Sequence, residues 1–220
     1  MVPPNRFLRR HRGILLFALA VLAAPLSTDR ASAQSSQHLS RGVGLPSTDR
    51  MVLCHGHGCR FKSEVGISAA DRARLAGIMA AGARSPEAER AAVARAVAWA
   101  EQRYGREIGT SGDRPLTGYT DAGDPSQLDC VDESMNTTAL LLVLKGQGLL
   151  RHHDVAAIVS RGYFVDLRYP HQTAVLRARK DGAAWAVDSW VRPNGRPPNV
   201  LPLALWATQG GASNPTKPLD

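Results

Sequence analysis

The sequence has no apolar run long enough to cross a bilayer in comfort. Its longest, Ile14–Ala24, is about 11 residues, where roughly 20 are needed. No cysteine follows that run, which argues against a lipid-anchored form. Internal repeats are absent, which excludes a solenoid or propeller. There is no phosphate-binding glycine loop and no dinucleotide-binding fingerprint. Cysteine is scarce, with three in 220 residues, and none sits in a haem-attachment Cys-x-x-Cys-His pattern.

The short apolar run still has a reading. Basic residues from Arg6 to Arg12 precede it, and Ala31-Ser-Ala33 follows before Gln34. Basic, apolar, small-x-small is the order of a secretory signal peptide. The expectation is a signal over residues 1–33 and a bacterial protein that is periplasmic or secreted, with no stable membrane span after cleavage. The signal also carries half of the basic excess. Residues 1–33 hold five arginines and one aspartate, which is +4 of the chain's +8. The mature part is then only modestly basic and has no clustered basic face, so nucleic acid is not expected as a partner.

Roughly 187 residues remain after the signal, enough for one domain with a real core. Residues 34–50 are polar and expected to be loose. The domain is expected over 51–208, and the turn-rich residues 209–220 form a tail. Met51–Cys54 reads as a strand. Ala69–Ala81 reads as a helix. Ser85-Pro86-Glu87 is a helix start, with a capping serine, proline at the first position and an acid in the first turn. Val93, Val97, Ala100 and Tyr104 then share one face, and Gly105 is expected to end the helix. A glycine-rich loop runs on to 127. The segment from Gln127 to Lys145 reads as a helix with Asp129 as N-cap and Asp132 completing a capping box. Met135, Ala139, Leu142 and Val143 form its apolar face, and Cys130 falls in its first turn. Strands are expected over 162–167, 171–179 and 183–190, with a hairpin at Lys180-Asp181-Gly182. Helices followed by an antiparallel sheet make an α+β fold.

Of the three cysteines, Cys54 and Cys59 are close enough to form a small disulfide loop, and export would supply an oxidising compartment. The run Cys54-His55-Gly56-His57-Gly58-Cys59 also offers metal ligands, or two free thiols. Six consecutive residues wrap one ion tetrahedrally only with difficulty, and structural zinc sites draw on separated pairs. Cys130 would then be the odd thiol. At a helix N-terminus the dipole favours thiolate and lowers the pKa, which suits a nucleophile; a free cysteine is also often a small core residue. A cysteine nucleophile needs a histidine to take its proton and a third group to orient that histidine. His171 and Asp188 lie 17 residues apart around the hairpin turn. They share a face in either register. A turn centred on Lys180-Asp181 makes them diagonal neighbours, whereas one centred on Asp181-Gly182 leaves them too far apart. His152-His153 reads as a pair interacting with the dipole of the preceding helix. Trp185, Trp190 and Trp206 read as core.

Cysteine at a helix start as Cys130-Val-Asp132, histidine opening a strand, and Trp185-Ala-Val-Asp188-Ser-Trp190 on the next strand together resemble bacterial transglutaminase-like members of the papain-like cysteine peptidases. The resemblance covers about residues 127–206. It implies a nucleophile-bearing helix packed on an antiparallel sheet, with Cys130 as nucleophile, His171 as base and Asp188 as orienting residue. Gln127 is the nearest candidate for the family's oxyanion-stabilising side chain, although closer to the cysteine than the papain-type glutamine. The implied activity is hydrolysis or acyl transfer at an amide bond of a peptide, protein or cell-envelope substrate, with no metal or cofactor. Two further classes stay open: a relative that keeps the fold as a binding module, and a metal-handling protein built on residues 54–59.

Overall fold

The computed structural model describes residue 1 and residues 36–162 and 170–209. The expected signal, the 163–169 portion of the expected 162–167 strand, and the tail beyond 209 lie outside the described residues. The fold is α+β with two antiparallel sheets. Strands β1 (Arg50–His55) and β2 (Phe61–Gly66) form a hairpin. Helices α1 (Ala69–Ala80), α2 (Pro86–Ile108) and α3 (Cys130–Gly146) follow. The chain then runs through β3 (His153–Arg161), β4 (His171–Ala178), β5 (Ala184–Asp188) and β6 (Asn199–Pro202) and closes on α4 (Leu203–Thr208). The last four strands pair in sequence order, each antiparallel to the next. No described helix is long and apolar enough to cross a membrane.

Helix α3 is the centre of the molecule. It packs on β1 on one side and on β3 and β4 on the other. Twelve of its 17 residues are buried, as expected of a helix enclosed on most faces. Leu140, Leu141 and Leu144 meet Val93, Val97 and Tyr104 of α2, Met51 and Leu53 of β1, and Ala174 and Leu176 of β4 in one core. Both helix starts are built as their sequences imply. The Ser85 hydroxyl accepts from the Ala88 N–H at 3.1 Å ahead of Pro86. The Asp129 carboxylate accepts from Val131 and Asp132, while Asp132 accepts from the Asp129 N–H.

Four expectations need correction. Helix α2 does not stop at Gly105 but runs to Ile108, with Gly109 at φ 84° as its cap. Gly105 lies inside it because the Asn194 side chain packs there, where an added Cβ would meet its Nδ2 at 3.0 Å. Residues 36–50, mostly exposed, are anchored at Gln37, His38 and Val43 rather than loose throughout. A bulge in β3 between Ala156 and Val159 takes Ile158 out of the ladder, and the Gln37 side-chain amide bonds both the Ile158 N–H and its carbonyl, at 2.9 and 3.0 Å, so neither backbone group is stranded. Strands β2, β3 and β6 lie where no strand is expected. His153 opens β3 instead of capping a helix. It is fully buried, and its Nδ1 is 2.9 Å from Glu89 of α2; its neighbour His152 places Nε2 3.1 Å from the Ala83 carbonyl.

Candidate active site

The β4–β5 hairpin turns at Lys180-Asp181. Arg177 pairs with Ala184 and Ala174 with Val187, so this register sets His171 and Asp188 on a diagonal. His171 Nε2 lies 2.7 Å from Asp188 Oδ2. Both residues are buried, at 2% exposure. The same Oδ2 accepts the Trp206 indole N–H at 2.8 Å, and the Trp206 ring lies 5.3 Å from the imidazole. Because Nε2 faces an acceptor, the ring's proton belongs on Nε2, leaving the lone pair on Nδ1. Nδ1 is buried and has no hydrogen-bond partner among the described residues. The Trp190 ring, 4.6 Å away, covers another side of the imidazole, and its own N–H donates to the Thr117 carbonyl at 3.1 Å.

Cys130 is the first residue of α3 and the one free cysteine among the described residues. It packs with Trp190 and Val191. Its Sγ is 3.9 Å from the Pro170 carbonyl, and the backbone N–H of Gln172 is also directed at it. The thiol is thus held at the strand start, between the neighbours of His171. Burial, and then the adjacent Asp129, push the thiol up to about 12. The expected lowering by the helix dipole is overridden, by burial first and then by the carboxyls around the thiol, Asp129 foremost.

Gln127 does not face the cysteine. Its Nε2 donates to the Gly112 carbonyl and to Ser126 Oγ, each at 3.3 Å, and its oxygen accepts from the Arg114 N–H at 3.2 Å. Both ends of the amide brace the loop before α3, so the structure does not favour it as an oxyanion donor.

Cys54 and Cys59 form a disulfide. The loop between them is stitched to the start of α3. His57 and Cys59 donate backbone N–H groups to Asp132 at 2.7 and 2.6 Å, and Gly58 donates to Asp129 at 3.0 Å. The Asn136 side chain takes the Cys54 N–H and donates to the Cys54 carbonyl, at 2.7 and 2.8 Å. Burial and Asp129 push Asp132 up to about 7, against these N–H donors. The two sulfurs and an Asp132 oxygen lie within 4.8 Å of one another, but the sulfurs are joined, and His55 is held by the Pro125 carbonyl and Ser63. That chemistry suits a clasp better than an ion site.

The sequence reading missed two features of the site. One is Trp206 as a partner of Asp188. The other is an acidic interior behind the helix. Glu133 accepts from the Ser189 hydroxyl at 2.7 Å, and Asp113 accepts from the Leu128 N–H at 2.7 Å. Burial first, opposed by the Ser189 bond, leaves Glu133 at about 7. Burial and Glu133 push Asp113 up to about 9. Spacing alone offers no sign of either, since each depends on contacts distant in sequence.

The chain matches no protein-family model, no curated protein and no solved structure.

Proposed function

We propose that the chain is an exported bacterial cysteine hydrolase or acyltransferase, transglutaminase-like in its site, acting on amide bonds of a peptide, protein or cell-envelope substrate. The observation that carries this reading is the His171–Asp188 pair, with Nδ1 of His171 unpartnered among the described residues beside the strand start that holds Cys130. Cys130 Sγ attacks the amide carbonyl carbon while its proton passes to His171 Nδ1. The tetrahedral intermediate collapses as the leaving amine takes that proton, and a thioester remains on Cys130. Water or an amine then attacks the thioester, His171 takes its proton, and the Cys130 thiol is regenerated. Asp188 holds the Nε2–H tautomer and stabilises the imidazolium that forms. The Cys130 backbone N–H at the helix start supplies one donor to the oxyanion. Since the resting thiol is held protonated, the proton moves during attack and no thiolate–imidazolium pair is preformed. The disulfide fits an oxidising compartment, in agreement with a periplasmic or secreted location.

A second reading draws on the same thiol. Buried and pushed up to about 12, Cys130 also suits a binding module that keeps the fold without catalysis. Incubation with a mixed library of peptide amides, followed by mass spectrometry of the intact protein, separates the two. Catalysis predicts an acyl adduct on Cys130 that is absent in Cys130→Ala and, because acylation too needs His171 to take the thiol proton and pass it to the leaving amine, strongly reduced in His171→Ala. An unmodified Cys130 with every amide and primary amine offered contradicts it and favours the binding module.

A further inference from the structure

The β4–β5 hairpin has a second functional end. His171 and Asp188 lie at its open end, and its turn borders a groove of about 470 Å³. Seven residue steps of extended chain, about 23 Å, separate His171 from Ala178 beside the groove, so the groove is not part of the cysteine site. Three separate chain segments bring cationic side chains to it: Arg90 from α2, Arg151 from the link before β3, and Arg179 and Lys180 from the turn. The partly exposed indole of Trp185 forms a wall.

The scaffold under these side chains is fixed. Buried Glu89 accepts the backbone N–H groups of Arg151, His152 and His153 at 2.6, 3.0 and 2.9 Å. The Arg90 guanidinium lies 3.6 Å over the Trp185 ring and donates to Glu87 at 3.3 Å. The nearby acids are all engaged. Glu87 is paired with Arg90, Asp181 accepts from the Ala183 N–H at 3.0 Å, and Asp154 at the rim pairs with Arg179 and Lys145 at 3.2 and 3.3 Å. The side chains of Arg151 and Lys180 make no ion pair or hydrogen bond among the described residues, and both are exposed.

Two uncommitted cations on a rigid frame match the charge of a phosphate monoester, which carries about −1.5 to −2 at neutral pH. An arginine fork and a lysine point charge are side chains suited to phosphate oxygens. The volume falls in the range of small-molecule sites, about 300–1,000 Å³, and leaves room for an organic body against Trp185. We propose that this groove binds a phosphate-bearing ligand through Arg151 and Lys180.

The test is an NMR titration of the ¹⁵N-labelled protein at constant ionic strength with inorganic phosphate and with glucose 6-phosphate. Beside it runs sedimentation with phosphatidylcholine vesicles with and without phosphatidic acid, whose headgroup is a phosphate monoester. The comparison protein is Arg151→Gln/Lys180→Gln, whose exposed, unpaired side chains leave the melting temperature unchanged. Saturable shifts at Arg151, Lys180 and the Trp185 indole, with affinity at least about tenfold weaker in the double variant, support the site with a soluble phosphate as ligand. Binding only to phosphatidic acid vesicles, lost in the variant, supports the same chemistry with a lipid headgroup as its source. Absence of both responses, or equal binding by the variant, overturns the proposal.

Discussion

His171 and Asp188 meet through a 2.7 Å contact across the diagonal of a hairpin ladder, and Trp206 closes the far side of the carboxylate with a second donor to the same oxygen. Centring the turn one residue later, on Asp181-Gly182, would carry the pair out of reach. Replacing Asp188 with alanine leaves two buried N–H donors without a partner. The expected loss is about 3–5 kcal/mol of stability, read from urea midpoints. Trp206→Phe keeps the ring against His171 and removes one N–H, so its expected cost is smaller, about 1–3 kcal/mol. A Trp206→Phe loss equal to that of Asp188→Ala would contradict this division.

The acidic interior makes stability depend on pH. Glu133 is raised from 4.5 to about 7 and Asp113 from 3.8 to about 9. Each binds its proton more tightly folded than unfolded, so its contribution is fully present below the unfolded value and is lost as pH rises through the folded one. Stability should therefore decline from about pH 4 to pH 9. Asp113→Asn, which cannot ionise, should flatten the upper part of that decline. Thermal melts of both proteins at pH 5, 7 and 9 check this; parallel curves would contradict it.

The Cys54–Cys59 clasp closes a short loop that holds Asp129 and Asp132. Loop-closure entropy alone assigns it about 2 kcal/mol. Cys54→Ser/Cys59→Ser should lose about that much. It should also speed amide hydrogen exchange both at residues 56–59 and in the first turn of α3, because the same hydrogen bonds hold both. Faster exchange in the loop alone would show that the helix start stands without it.

Leu144 is fully buried in α3 and belongs to the core formed with α2 and the sheet. Leu144→Ala should cost about 2–5 kcal/mol, measured by chemical denaturation.

Much of this arrangement was legible in local sequence. Ser85-Pro86 and Asp129 with Asp132 carry their capping chemistry within four residues, and the Lys180-Asp181-Gly182 turn marks the hairpin. The rest depends on distant partners. Only Val65 of β2 is buried, so that strand lacks an alternating apolar pattern. β3 opens with His153, a polar residue made tolerable in the core by Glu89 on another helix. Gly105 looks like a helix stop until Asn194 is seen against it. The lowered thiol pKa expected for Cys130 followed from the helix dipole, but burial and the acidic cap at the same position reverse it.

The central claim is that His171 serves as base to Cys130. The most direct test is the rate of Cys130 alkylation by iodoacetamide from pH 5 to 10, in the wild type and in His171→Ala, with folding of both verified by circular dichroism. The account predicts that below pH 8 the wild type reacts at least about tenfold faster than His171→Ala, since general-base assistance contributes about 10²–10⁴. It also predicts that the advantage narrows as the thiol itself ionises at higher pH. Superimposable profiles, rising only at alkaline pH, would contradict it and leave Cys130 a buried structural thiol.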